Sequence, residues 1–215
     1  AAAASAAAGG EGDVDGGETA VAVLAGGCFW CLEAVLQRKP GVRSVVSGYA
    51  GGDELGPPPS YDLISRGTTR WAEAVEVTFD PSALPYSRLL DEFFVAHDPT
   101  TPDRQGVDSG PQYRSAIFFA DGEQEKEARA AAARAGARLR AGELKGEGGD
   151  EVVTELAPAG RFWSVLELGE RQHHNFYNKC VQGDCYHPGY NQNVVVRKLK
   201  KLKLPLGHSG HRDEL

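Results

Sequence analysis

The sequence predicts a two-layer α+β domain on a split βαβ plan, and three observations carry that prediction. Short apolar runs alternate with helix-period segments in the order strand, helix, strand, then strand, helix, strand, which fits this plan better than a sandwich or a helical bundle. The chain has 215 residues, 41% of them hydrophobic, enough for one compact core. No internal repeat is visible.

Taken in order, residues 21–24 read as a short buried strand and residues 29–37 as a helix, with Leu32, Val35 and Leu36 on one face and Pro40-Gly41 as its stop. Residues 42–49 read as a second strand, and residues 51–60, with three consecutive prolines, as a loop. Residues 72–79 alternate apolar and acidic side chains, the pattern of a strand with one wet face, ended by Asp80-Pro81. Leu89, Leu90, Phe93 and Phe94 recur at helical spacing in residues 87–97, and residues 98–112 form a polar loop. A strand over 113–120, a long helix over 121–141, a strand over 151–156 and a short helix over 168–180 complete the reading. After Gly183 the chain is expected to be irregular. The organisation is a disordered segment over 1–17, one domain over 18–180 and a C-terminal extension over 181–215.

A net charge of −7 argues against a general nucleic-acid binder. The charge is uneven: residues 11–18 hold four acids and no base, whereas residues 197–203 are basic, and both read as solvated tail segments. No apolar run approaches the length of a membrane span, so no membrane insertion is expected.

Cys28 is the chemically most informative residue. It sits in Gly26-Gly27-Cys28-Phe29-Trp30-Cys31-Leu32-Glu33, between the first strand and the first helix. A cysteine there meets unpaired backbone N–H groups and the positive end of the helix dipole, both of which favour thiolate. The glycines leave room for a substrate, and Phe29 and Trp30 can wall a small apolar group.

Four further segments extend this pattern: Gly48-Tyr49-Ala50-Gly51-Gly52, Ser60-Tyr61, Ala72-Glu73, and the run from Gly106 through Asp108 to Gln112-Tyr113-Arg114-Ser115. Together with Gly27-Cys28-Phe29-Trp30, the series resembles the A-type peptide methionine sulfoxide reductases, closely over residues 21–119 and diffusely beyond. Ser109, Pro111 and Trp71 depart from the usual pattern, and the family's Ala-Glu-x-x-His-Gln-x-Tyr region is degraded to the run from Leu168 to His174.

The resemblance implies a ferredoxin-like fold and reduction of the S epimer of methionine sulfoxide, free or in oxidised proteins. Such chemistry needs a thiolate to attack the sulfoxide sulfur and a protonated carboxyl group to supply its oxygen. The resemblance gives Cys28 the first role and Glu73 the second. It gives Tyr61 and Tyr113 hydrogen bonds to the oxygen, Asp108 the organisation of that end of the pocket, and Phe29 and Trp30 the methyl group. Attack leaves a sulfenic acid that a second thiol must resolve. Cys31, Cys180 and Cys185 are the candidates: either Cys31 resolves while Cys180 and Cys185 form a structural disulfide, or a relay runs to the C-terminal pair.

The resemblance also implies no bound cofactor, thioredoxin or another dithiol as external reductant, and a monomer. Metal ligation is not expected, since the histidines and cysteines beyond residue 172 lack a zinc-site spacing. A thioredoxin-like disulfide oxidoreductase using Cys28-x-x-Cys31 is the alternative, and it would make Glu73 irrelevant. A retained binding protein without catalysis would leave Cys28 with an ordinary thiol.

The C-terminal Arg212-Asp213-Glu214-Leu215 resembles the Lys-Asp-Glu-Leu class of endoplasmic-reticulum retention signals. It implies a retention receptor as partner, residence in the lumen, a removed signal peptide and a plant-like, retained form of the family. The start on Ala1 and the lack of any methionine are expected in a trimmed chain.

Overall fold

The computed structural model describes residues 17–187 and 189–204. The N-terminal segment ahead of Gly17 and the retention-like quartet lie outside the described residues. The strands are β1 (Ala20–Gly26), β2 (Val42–Ala50), β3 (Ala72–Phe79), β4 (Arg104–Gln105), β5 (Asp108–Ser109), β6 (Ser115–Phe119), β7 (Glu155–Pro158) and β8 (Trp163–Ser164). The helices are α1 (Phe29–Leu36), α2 (Tyr61–Ser65), α3 (Tyr86–Ala96), α4 (Gly122–Arg140), α5 (Phe176–Val181) and α6 (Gln192–Lys201), with 3-10 turns at Pro111–Tyr113 and Arg171–His173.

Six strands form one sheet in the order β7-β6-β1-β3-β2-β8, and β4 and β5 form a separate hairpin. The central β6-β1-β3-β2 pairings are all antiparallel, while β7 adds parallel to β6 after the α4 crossover. This is the split βαβ plan the sequence predicts, lengthened at both edges.

The two sheet faces differ. One carries Leu24, Val75, Val77, Phe79 and Ile117 against the buried sides of α1, α3 and α4. The other carries mainly small side chains, Ala25, Ala50, Ala72, Ala74 and Ala116, with Phe118, and Phe162 packs over it. Strand β3 is therefore covered on both faces over residues 72–75, and the expected wet face survives only as the partly exposed Glu76 and Thr78, because β3 lies mid-sheet between β1 and β2. Glu73 shares its face with Val75, Val77 and Phe79, the core face.

Capping explains the helix limits. Asp121 accepts from the backbone N–H groups of Glu123 and Gln124, acids occupy the first turn of α4, and Arg138 and Arg140 occupy its last. The helix expected over 168–180 is broken instead, since Asn175 adopts a left-handed conformation (φ 54°) ahead of α5. The strand expected at 151–156 begins later, at Glu155.

The largest departure is the C-terminal extension, which contains α6 where irregular chain was expected. Val195 and Leu199 are fully buried in the main core, so the basic run belongs to an amphipathic helix, with its lysines outward except for a half-buried Lys198.

Polar ties hold the C-terminal half on α1. Glu33 is 1% exposed; its Oε2 accepts from the Asn175 backbone N–H at 2.8 Å and its Oε1 lies 2.9 Å from His174 Nδ1. Arg38 donates to Ala34 O and to Asn178 Oδ1, both at 2.6 Å. Removing the buried carboxyl group takes away both contacts, and Glu33→Ala is expected to lose about 1–3 kcal/mol of stability in urea unfolding, the cost of disrupting a buried hydrogen bond.

Candidate active site

The turn between β1 and α1 sets the geometry. Gly27 has φ +86°, and a Cβ there would stand 2.4 Å from Gln105 Cγ. Gln105 in turn exchanges two 3.1 Å hydrogen bonds with the Asp98 backbone. The β4–β5 hairpin, which carries Asp108, thus packs directly on the turn that carries Cys28. Gly27 is required both for its backbone conformation and for that approach.

Cys28 is the N-cap residue of α1, and its carbonyl accepts from Cys31 and Leu32 at 3.0 and 3.3 Å. The first helical N–H, that of Phe29, donates to Glu73 Oε2 at 3.0 Å. The helix terminus thus binds the carboxyl group, where the sequence predicts that it serves the sulfur.

Cys28, Phe29, Trp30, Tyr61, Glu73, Asp108 and Tyr113 all line one cavity of about 170 Å³, joined by His187 and Tyr190. Every residue named for catalysis and methyl binding is therefore brought together. Of the resolving candidates, Cys31 is hydrogen-bonded to Cys28, whereas Cys180 and Cys185 are joined in a disulfide.

Each segment of the motif has a structural task. In the Gln112-Tyr113-Arg114-Ser115 run, Gln112 Nε2 donates to Ser65 O (3.4 Å) and Tyr113 faces the cavity. Arg114 ties the Gly51 and Pro111 carbonyls to Glu155, and Ser115 Oγ meets His97 Nε2 at 2.7 Å.

Burial dominates the electrostatics. Glu73 is 2% exposed, and desolvation pushes its carboxyl up to about 8 against the opposing Phe29 hydrogen bond, with Asp108 and Cys31 pushing the same way as burial. Burial likewise raises the phenols of Tyr61 and Tyr113, keeping both as proton donors. The Cys28 thiol is pushed well above its ordinary range by its hydrogen bond to Cys31, by burial, and by the Glu73 and Asp108 carboxyls. Cys31 is drawn down to about 7, chiefly by the hydrogen bond from Cys28, with further help from the Tyr177 hydroxyl and the Lys198 charge. The Cys28 thiol is therefore raised where the helix-terminus argument predicts that it is lowered, chiefly because of its hydrogen bond to Cys31 and its burial.

Sequence reasoning missed part of the aromatic wall. His187 and Tyr190 approach Trp30 edge-on at 5.5 and 5.2 Å. His173 stacks on Tyr61 at 4.1 Å and meets Tyr186 Oη through Nδ1 at 2.7 Å. Glu170 accepts from the Tyr49 hydroxyl and from the Tyr61 backbone N–H, both at 2.8 Å, and so fixes the start of α2. The run that reads as degraded thus keeps a working Glu170 and His173 at the Glu-x-x-His spacing. Ser109, Pro111 and Trp71 do not line the cavity.

Residues 20–203 match the family described as peptide methionine sulfoxide reductase. The chain belongs to that family. It is 43% identical over 193 residues to the peptide methionine sulfoxide reductase MsrA of Ralstonia nicotianae, covering 87% of this chain and 91% of that protein. To the MsrA of Sulfolobus acidocaldarius it is 46% identical over 182 residues, 85% of this chain and 92% of that one. Among solved structures, methionine sulfoxide reductase A of Corynebacterium diphtheriae superposes with a TM-score of 0.66 at 33% identity, covering 79% of this chain and 78% of that one. Reduced Mxr1 from Saccharomyces cerevisiae gives 0.65 at 29% identity, covering 80% and 91%. The thioredoxin-like alternative loses its ground, since the residue it leaves idle, Glu73, holds the N-terminus of the cysteine helix in this reductase-family fold.

The raised Glu73 value has a stability consequence. Its carboxyl stays protonated in the folded chain from 4.5 up to about 8 while the unfolded chain is ionised, so its contribution is intact below pH 4.5 and is lost as pH rises through 8. Glu73→Gln is therefore expected to gain on wild type progressively between those values, by on the order of 5 kcal/mol at the limit. Urea unfolding of both proteins across that range checks it; a constant difference contradicts burial as the cause.

Proposed function

We propose that the protein reduces the S epimer of methionine sulfoxide, free or within oxidised proteins, to methionine. The observation that carries this reading is the single cavity in which a buried thiol faces a buried carboxyl group that stays protonated near neutral pH. Cys28 Sγ attacks the sulfoxide sulfur, passing its proton to the hydrogen-bonded Cys31, while Glu73 protonates the oxygen. The S–O bond breaks as oxygen passes to Cys28, giving methionine and a Cys28 sulfenic acid. Tyr61 and Tyr113 donate to the oxygen, Asp108 shapes that end of the cavity, and Phe29 and Trp30 hold the methyl group.

Thioredoxin or another dithiol regenerates the thiols, and no bound cofactor takes part. Arg212-Asp213-Glu214-Leu215 supports retention by a receptor in the endoplasmic-reticulum lumen, as in plant-like retained forms. Removal of that quartet is expected to release the protein into the medium of secreting cells, read by immunoblot.

Turnover of each sulfoxide epimer with dithiothreitol tests the reaction. Wild type is expected to consume only the S epimer, Cys28→Ser to be inactive, and Glu73→Gln to lose about 10²–10⁴ in kcat, the range for a positioned acid. Undiminished reduction by either variant, or equal use of both epimers, refutes the assignment.

A further inference from the structure

We infer that His187 is a substrate-contacting residue of this site: its Nε2–H binds the main-chain carbonyl oxygen of a peptide-bound methionine sulfoxide. The inference rests on the reductase reading above and supplies a contact for the part of the substrate which that reading leaves unplaced.

A sulfoxide sulfur bears three substituents. Glu73, Tyr61 and Tyr113 take the oxygen, and Phe29 and Trp30 take the methyl group. The third substituent leads out of the cavity to the main chain, and a carbonyl group drawn from water to the cavity edge needs a donor there. His187 is placed for that task. It lines the cavity and is itself partly exposed, with Tyr186 before it and Gly189 beyond it both exposed, so it belongs to the rim.

One hydrogen bond fixes the state of the ring. The Gly189 backbone N–H donates to His187 Nδ1 at 3.2 Å. A backbone N–H can only donate, so Nδ1 carries no proton and the neutral ring holds its proton on Nε2. Among the described residues no hydrogen bond engages that Nε2. The neighbouring polar groups of the same segment are occupied: Tyr190 Oη accepts from Lys198 Nζ at 2.6 Å, and Tyr186 Oη meets His173 Nδ1 at 2.7 Å. His187 therefore offers the cavity a neutral donor, the counterpart of an uncharged amide oxygen.

The ring is also held in place before substrate arrives. The Cys180–Cys185 disulfide closes the chain two residues ahead of it, the Tyr190 backbone N–H donates to His187 O at 2.9 Å, and Asn191 caps α6 by accepting from the Val194 N–H at 3.1 Å. Trp30 and Tyr190 each meet the imidazole edge-on, with ring centres 5.5 Å away. A donor oriented in this way by covalent, backbone and ring contacts needs little further ordering to bind, which is what makes a single neutral hydrogen bond count.

Two substrates separate a main-chain contact from a part in the wall. N-acetylmethionine S-sulfoxide methylamide carries the sulfoxide, the side chain and two amides; the S epimer of methyl propyl sulfoxide keeps the sulfoxide and the side chain without any main chain. Steady-state kinetics with dithiothreitol are measured on both for wild type, His187→Phe, which keeps a ring and loses the donor, and His187→Gln, which keeps an N–H. In His187→Phe, kcat/KM for the methylamide is expected to fall about three- to tenfold further than for methyl propyl sulfoxide, the range for one neutral hydrogen bond, with the extra loss in KM. His187→Gln is expected to recover most of that difference. Equal losses on the two substrates in His187→Phe overturn the inference while leaving the reductase reading intact. A differential loss that His187→Gln shares in full removes the hydrogen bond as its cause and overturns the inference as well. Wild type that reduces neither sulfoxide overturns both the inference and the reading beneath it.

Discussion

The hydrogen bond from the Phe29 N–H to Glu73 Oε2 is the contact on which the site depends, because it joins the centre of the sheet to the start of the cysteine helix. A carboxyl group in the middle of a covered strand is costly to ionise, and one backbone donor does not offset that cost. The acid therefore stays neutral near neutral pH, in the same cavity that the Cys28 sulfur lines. Cys28 makes no side-chain cap bond to its helix, and its thiol is raised chiefly by the hydrogen bond to Cys31 and by burial.

Around that contact the fold works by ties between segments distant in sequence. Glycine at position 27 lets the hairpin bearing Asp108 lean on the cysteine turn. Arg114 gathers the Gly51 and Pro111 carbonyls onto β7, and Glu170 fixes both Tyr49 and the first residue of α2. Glu33 and Arg38 hold α5 on α1, which presses Phe176 against Trp30 at 4.1 Å between ring centres. A cavity lined by residues from positions 28 to 190 thus has few side chains free to choose another rotamer.

Much of this was legible in the sequence, and the reasons differ by element. The core strands and helices α1, α3 and α4 announce themselves through apolar period and through the Asp121 cap. The face of Glu73 was readable too: its period-two neighbours Val75, Val77 and Phe79 are a core face, and the acidic alternation drew attention away from them. Helix α6 was obscured by its charge, since only Val195 and Leu199 of its ten residues are buried. The aromatic wall from Tyr186 to Tyr190 carried a composition signal, yet its place over Trp30 depends on tertiary packing that no local pattern encodes. The upward shift of Cys28 was not readable, because it follows chiefly from its contact with Cys31 and from burial under segments distant in sequence.

Helix α6 gives the far end of the chain an influence out of keeping with its composition. Val195 and Leu199 anchor it in the core, and Lys198 grips the hydroxyl of Tyr190, a residue of the cavity wall. A shortened form that ended before Gln192 to shed the basic tail would forfeit the buttress behind Tyr190 as well. In this chain the architecture of the pocket therefore extends past the last cysteine to the lysine-rich helix.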